Sequence, residues 1–201
     1  MFKKQLNLIF VLLLLTVDDI PNKWSEALFK KILENNYDCI FFITANKDSI
    51  YNPEYKNLIK NIIRNGYIIG NHSFSHSTNN WNNNFLLAFI DFQKMHKIIE
   101  KEFGYKMQYL RIPYGIKENT GIKLFKKFYK YKSIKWTIAV KMHFNRFECQ
   151  NTVECNYEPI RINDNKYYVV LFHPTKSIVE NFDKIVECLE KKYGKIKRLY
   201  E

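Results

Sequence analysis

The segment NHSFSHSTNN, residues 71–80, sets His72 and His76 four residues apart in a chain that holds five histidines. Imidazoles at that spacing share a face on a helical turn and can converge on one ion. The same segment also fits a solvated loop or helix start, with Ser73, Ser75 and Ser77 as caps. Three further clusters bear on the choice. TVDD carries the adjacent carboxylates Asp18 and Asp19, RIPYG carries Arg111 and Tyr114, and LFHP carries His173. Two histidines and one carboxylate bind a divalent cation while leaving positions open for water and substrate. Neighbouring carboxylates suit a division of labour, one on the cation and one free to take a proton. His173 would then return a proton to a leaving group. The plainer readings are helix N-capping by Asp18 or Asp19 ahead of Pro21, and a hydrogen-bonded rim histidine at 173.

Apolar runs and amphipathic stripes alternate along the chain, and this order must position those clusters. Strands are expected near 8–16, 38–44, 67–71, 107–111, 134–140 and across KYYVVLFH. Helices are expected near 22–35, 54–65, 84–103 (ending at Gly104), 117–130 and 176–193, with an irregular span at 141–166. Such alternation predicts an α/β fold around a parallel sheet, either doubly wound or a barrel. In both, ligands meet residues just past the C-terminal ends of strands. TVDD, NHSFSH, RIPYG and LFHP all fall at that end. One rim therefore gathers Asp18, Asp19, His72, His76, Arg111 and His173.

With 46% hydrophobic and 16% aromatic residues, the 201-residue chain is globular and long enough for one core. Six glycines and five prolines mark no linker, so residues 1–201 are read as a single domain. The net charge of +12, from 32 basic and 20 acidic residues, raises nucleic acid as a partner. FKKFYKYKSIKW (125–136) interleaves rings and lysines as single-strand binders do. The aromatic stripe there also fits an ordinary amphipathic helix, so no nucleic acid is expected. The same charge fits an anionic surface or polymer. LNLIFVLLLL after Lys3 and Lys4 reads as a signal-like segment or as a buried first strand; it is too short to span a bilayer, and the strand is favoured. Four cysteines form no CxxC pair. Cys149 and Cys155 suit a small disulfide in an oxidising compartment, whereas Cys39 and Cys188 look like core residues.

In this order and spacing, TVDD, HSFSH, RIPYG and LFH resemble the motifs of the NodB-like polysaccharide deacetylases, carbohydrate esterase family 4. The resemblance extends through IFFITA, NGYIIGNHSFSH and GYKMQYLRIPYG. It implies a distorted, incomplete (β/α) barrel and metal-dependent removal of N- or O-acetyl groups from sugars. By position it implies Asp19, His72 and His76 as ligands of a divalent metal, zinc foremost with cobalt an alternative. Asp18 becomes the general base and Arg111 its orienting partner. The backbone amide of Tyr114 becomes an oxyanion donor, and His173 the general acid.

Three departures qualify the resemblance. Ile20 stands where the family has glycine, and Ile112 where it has proline. After Trp136 the chain reads WTIAVKMHF, with no carboxylate before Glu148, although the family places an aspartate there. The expected function is N-deacetylation of a GlcNAc-containing polysaccharide, chitin or similar, held through Trp136 and Tyr114. The alternative is a polysaccharide-binding pseudoenzyme on the same fold. The family also implies a secreted or cell-surface location.

Overall fold

The computed structural model describes residues 11–45, 50–79, 81, 84–141, 153–155, 158–162 and 165–199, with backbone alone at 153–155. Its strands are β1 (Leu12–Ile20), β2 (Cys39–Ile43), β3 (Ile68–Asn71), β4 (Tyr109–Leu110), β5 (Lys132–Ser133), β6 (Ile138–Val140), β7 (Val153–Cys155), β8 (Ile160–Ile162) and β9 (Asn165–Phe172). They pair in the order β5-β4-β3-β2-β1-β9-β6-β7, with β8 on β9. Neighbours from β5 to β6 along this path are parallel, whereas β7 and β8 pair antiparallel. The end strands β5 and β7 do not pair with each other among the described residues. This is the incomplete barrel that the family resemblance implies, chosen from the two parallel-sheet folds that the strand–helix alternation allows.

The helices are α1 (Ser25–Glu34), α2 (Pro53–Arg64), α3 (Phe85–Phe103), α4 (Thr120–Tyr129) and α5 (Lys176–Tyr193). Four of them begin at a side-chain cap: Asn52, Asn84, Asn119 and Thr175 each accept a backbone N–H of the first turn. Gly104 closes α3 in the left-handed conformation, as expected.

The pleat of β1 sorts its side chains. Leu13, Leu15 and Val17 join the large core under the helices, whereas Leu14 joins a smaller cluster with Ile40, Phe42 and Val169. Thr16 and Asp18 share the face of Leu14, because strand side chains alternate. The interior face of β1 thus runs from an apolar floor to a polar rim.

Several expectations need correction. β1 runs on through TVDD to Ile20, with a register shift between Val17 and Ile20 where Asp19 turns left-handed; residues 8–10 lie outside the described set. The strand expected at 134–140 is confined to β6 (Ile138–Val140), and Trp136 lies in the gap between it and β5 (Lys132–Ser133). The span 141–166 is not wholly irregular, since β7 and β8 form antiparallel pairs within it. Cys188 is buried but disulfide-bonded, so it is more than a core residue. Cys39 is free and buried, as expected. The side chains of Cys149 and Cys155 lie outside the described residues. No helix among them is long and apolar enough to cross a membrane.

Candidate active site

At the C-terminal rim of the sheet, β1 delivers Asp18 and Asp19, and the segment after β3 delivers His72 and His76. The two histidines do not sit on a helical turn. β3 ends at Asn71, and Ser73 and His76 adopt left-handed backbone (φ 67° and 53°) that folds the loop back on itself. Local hydrogen bonds hold this shape: Asn71 Oδ1 accepts from the Ser73 amide, and Ser73 Oγ from the His76 amide. Asn71 Nδ2 in turn donates to the Phe92 carbonyl, which ties the loop to α3. Asp19 and Tyr114 are also left-handed (φ 60° and 58°). Four of the six non-glycine residues with positive φ among the described residues therefore build this rim. Such strain persists only where surrounding contacts impose it, and it gathers at functional sites.

Asp19 Oδ1 lies 3.1 Å from His76 Nε2 and 3.6 Å from His72 Nε2. All three ligand-type atoms lie within 4.8 Å of one another. Two ligands about 2.1 Å from a tetrahedral ion stand about 3.4 Å apart, so these separations fit one cation. The protonation pattern fits as well. His72 Nδ1 is 2.8 Å from the Arg111 carbonyl, to which it must donate its hydrogen. Burial lowers the His72 pKa despite Asp18 and Asp19, so the ring is neutral and Nε2 offers a lone pair. His76 Nδ1 has Tyr114 Oη at 3.2 Å, and that hydroxyl donates onward to the His76 carbonyl. Burial works to lower the His76 pKa, but the Asp19 carboxylate outweighs it and raises the value. Burial likewise works to raise Asp19, yet the three surrounding imidazoles hold it below its usual range. Asp19 Oδ1 is buried and accepts no well-formed hydrogen bond. A positive charge is wanted between these atoms, and a divalent cation fits the donor set.

Asp18 adjoins that trio, with Oδ2 3.6 Å from His72 Nε2, but its other oxygen is committed elsewhere. Its Oδ1 accepts from Arg111 Nη1 at 2.8 Å, and both residues are almost wholly buried. Arg111 also donates from Nη1 to Thr16 Oγ1 (2.7 Å) and from Nε to the Ile134 carbonyl (3.1 Å). Its guanidinium stacks over the Phe42 ring at 4.4 Å. Arg111 Nη2, however, is buried with no partner. Among the described residues, the wall beyond Trp136 offers Ala139, Val140, Lys141 and Leu171.

His173, at the end of β9, stands with Nε2 3.8 Å from Asp19 Oδ2 and is 45% exposed. Trp136 rests on Gly115, where any side chain would collide with the indole (2.5 Å from Cη2). Gly115 also needs its left-handed φ of 65°. Tyr114 projects into solvent on the other side. These residues surround one cavity of about 400 Å³ with Asp18, Asp19, His72 and His76 at its base. All eight residues singled out in the sequence converge here, although Arg111 supports the cavity from behind. Thr16 and Asn71 escaped that reading. A period of two back from Asp18 would have found Thr16, since it shares Asp18's face of β1.

The sequence profile of the family described as polysaccharide deacetylase matches residues 11–131. The chain belongs to the polysaccharide deacetylase family. A peptidoglycan-N-acetylglucosamine deacetylase of Bacillus cereus is 27% identical over 108 residues, which are 50% of this chain and 35% of that protein. The chain thus spans about a third of that relative's length. Among solved structures, the chitin deacetylase of the fungus Colletotrichum lindemuthianum is 20% identical, with a TM-score of 0.70 over 90% of this chain and 82% of its own. A pseudoenzyme of carbohydrate esterase family 4 from Bacillus anthracis is 18% identical, with a TM-score of 0.68 over 94% of this chain and 64% of its own. These deacetylase-family likenesses establish the fold, and active and inactive proteins share it.

Proposed function

We propose that this chain hydrolyses N-acetyl groups from a GlcNAc-containing polysaccharide, chitin or a similar polymer, with a divalent metal held by Asp19, His72 and His76. The observation that carries the reading is the convergence of those three ligand atoms beside a buried carboxylate that is not one of them. Zinc suits the two nitrogens and one oxygen; cobalt suits them too. A bound divalent cation supplies Lewis acidity to the acetyl carbonyl and to water.

The remaining chemistry belongs to side chains. Asp18 takes a proton from water as the water oxygen bonds to the acetyl carbon, and Arg111 orients the carboxylate through its 2.8 Å hydrogen bond. The Tyr114 amide hydrogen bonds to the developing oxyanion. His173 gives its proton to the sugar nitrogen as the C–N bond breaks, so acetate and free amine leave. Trp136 and Tyr114 offer flat faces to the sugar rings beside the cavity. An acetylated polysaccharide outside the cell or at its surface is the partner this reading requires. A disulfide at Cys188 suits that oxidising location.

One observation favours a second reading. Among the described residues, Arg111 Nη2 has no partner and no carboxylate lines the Trp136 wall, so the support an efficient enzyme would have there is not among them. On that reading the chain binds polysaccharide without cleaving it. Acetate release from chitin oligomers, with the protein chelated and then reloaded with zinc or cobalt, separates the two. The first reading expects slow release that metal restores. Stoichiometric zinc binding with no release from any acetylated sugar overturns it in favour of the second.

A further inference from the structure

Helices α3 and α4 pack against each other more closely than side chains usually allow. A Cβ at Gly121 would fall 1.8 Å from the Phe85 carbonyl oxygen, so the backbones touch there. Below that point Phe89 meets Phe125 and Tyr129 at 5.9 and 6.5 Å between ring centroids. Helical spacing then fixes what lies outside the seam. Leu86 and Ile90 follow Phe85 and Phe89 around the outer side of α3, and Leu124 and Phe128 stand one turn apart beside Gly121 on α4. These four are 50%, 53%, 46% and 73% exposed, and Phe85 adds to them at 43%. Contiguous exposed side chains of this size are uncommon on a protein surface unless something covers them.

The surroundings say what that is. Lys97, Lys123 and Lys127 are exposed beside the apolar strip, and α4 carries three lysines and no carboxylate. The acids nearby are engaged: Asp91 accepts from Ser75, and Glu118 pairs with Lys126. At the foot of the seam, Tyr129 joins Lys106, Lys130 and Lys132 around a second cavity of about 280 Å³. A second copy of this chain fits poorly, because facing patches would oppose these lysines in a protein of net charge +12. A nucleic acid strand stacks on rings, and most of this strip is aliphatic. Aliphatic chains bordered by lysines match acyl chains beneath anionic headgroups.

We infer that the α3–α4 face is a docking surface for an anionic lipid bilayer, with Leu86, Ile90, Leu124 and Phe128 entering the interface and the lysines pairing with headgroup phosphates. α3 and α4 both begin at the rim of the metal-type site, so docking would hold the cavity beside the lipid surface. The inference does not depend on deacetylation.

Sedimentation of the full chain with vesicles tests it, comparing phosphatidylglycerol mixed into phosphatidylcholine with phosphatidylcholine alone. Wild-type protein is expected on the anionic vesicles only, and Leu124→Glu with Phe128→Glu should lower the partition at least about tenfold. Both positions are exposed, and an unchanged thermal transition checks the variant's fold. Phe128→Trp gives a second reading free of that concern: its emission should shift to the blue on anionic vesicles. Equal binding to neutral vesicles, unaltered partition of the double variant, or an unshifted emission overturns the inference. So does concentration-dependent self-association, or single-strand DNA binding, that the double variant abolishes while vesicle binding is absent.

Discussion

Residues 11–131 and residues 132–199 each supply one wall of the same cavity, and they are built on different principles. The first wall holds Asp18, Asp19, His72, His76, Arg111 and Tyr114. Its side chains are aimed by backbone: β1 and β3 flank β2 on either side, and four left-handed residues turn the rim inward. Hydrogen bonds fix most of these side chains, and Asp19 Oδ1 and Arg111 Nη2 are the buried atoms left without one among the described residues. The second wall supplies Trp136, Ala139, Val140, Lys141, Leu171 and His173, from β6 with its flanking residues and from the end of β9. Its histidine at the cavity, His173, is 45% exposed, with Nε2 3.8 Å from Asp19 Oδ2. The family profile covers the first wall and stops at residue 131. Ligation and proton abstraction require fixed geometry, whereas a wall that shapes the substrate's surroundings tolerates replacement as long as it stays apolar.

Breaking the first wall should have the largest effects. His72→Ala is expected to lose stoichiometric zinc binding and acetate release together, because two ligands hold the ion poorly. Metal analysis of the purified variant and an acetate assay read both. Asp18→Asn should instead keep the metal and lose roughly 10³-fold in turnover, since it removes a proton acceptor and leaves the ligands. If both variants lose the metal equally, the separation between Asp18 and the ligand trio is not real.

Arg111 tests how far the first wall depends on charge. Arg111→Met leaves Asp18 buried without its cation, which should cost about 3–5 kcal/mol in denaturant unfolding. Thr16→Val is a gentler cut at the same place. It keeps the shape but removes an acceptor from Arg111 Nη1 and a donor to the Val170 carbonyl. About 1–3 kcal/mol is expected, because both buried partners lose a hydrogen bond. A loss below the error of the unfolding curves would mean that Thr16 is a bystander to Arg111.

These same features explain what the sequence could and could not disclose. Adjacent aspartates, an HxxxH pair and a lone arginine before Pro113 are legible because their chemistry depends on residue type. Strand ends place them on one rim without any knowledge of side-chain geometry. The left-handed turns at Asp19, Ser73, His76 and Tyr114 carry no glycine to announce them, so the loop shape that replaces a helical turn at 72–76 was hidden. β7 and β8 were hidden because antiparallel strands of three residues leave almost no periodicity. The disulfide at Cys188 was hidden because a cysteine on an apolar helix face looks the same bonded or free. The unpaired Arg111 Nη2 was hidden too, because sequence places an arginine at the rim but not the partners of each of its nitrogens.

The second wall should give the smallest structural effect, and His173 is where the comparison becomes sharpest. Its ring is 45% exposed, and its Nε2 stands 3.8 Å from Asp19 Oδ2, beyond hydrogen-bond distance. His173→Ala should therefore change unfolding free energy by no more than about 0.5 kcal/mol, as surface substitutions do. Metal content should stay at the wild-type level, because the ligand trio belongs wholly to the other wall. Turnover should still fall, by about 10²-fold if the residue protonates the departing nitrogen. Substrates with a better leaving group, such as an O-acetyl ester, need that proton less and should show a smaller loss. An equal loss on amide and ester would assign His173 to positioning the substrate. A loss of metal would mean that the two walls are not independent, and that the cation depends on a residue outside the Asp19, His72 and His76 cluster.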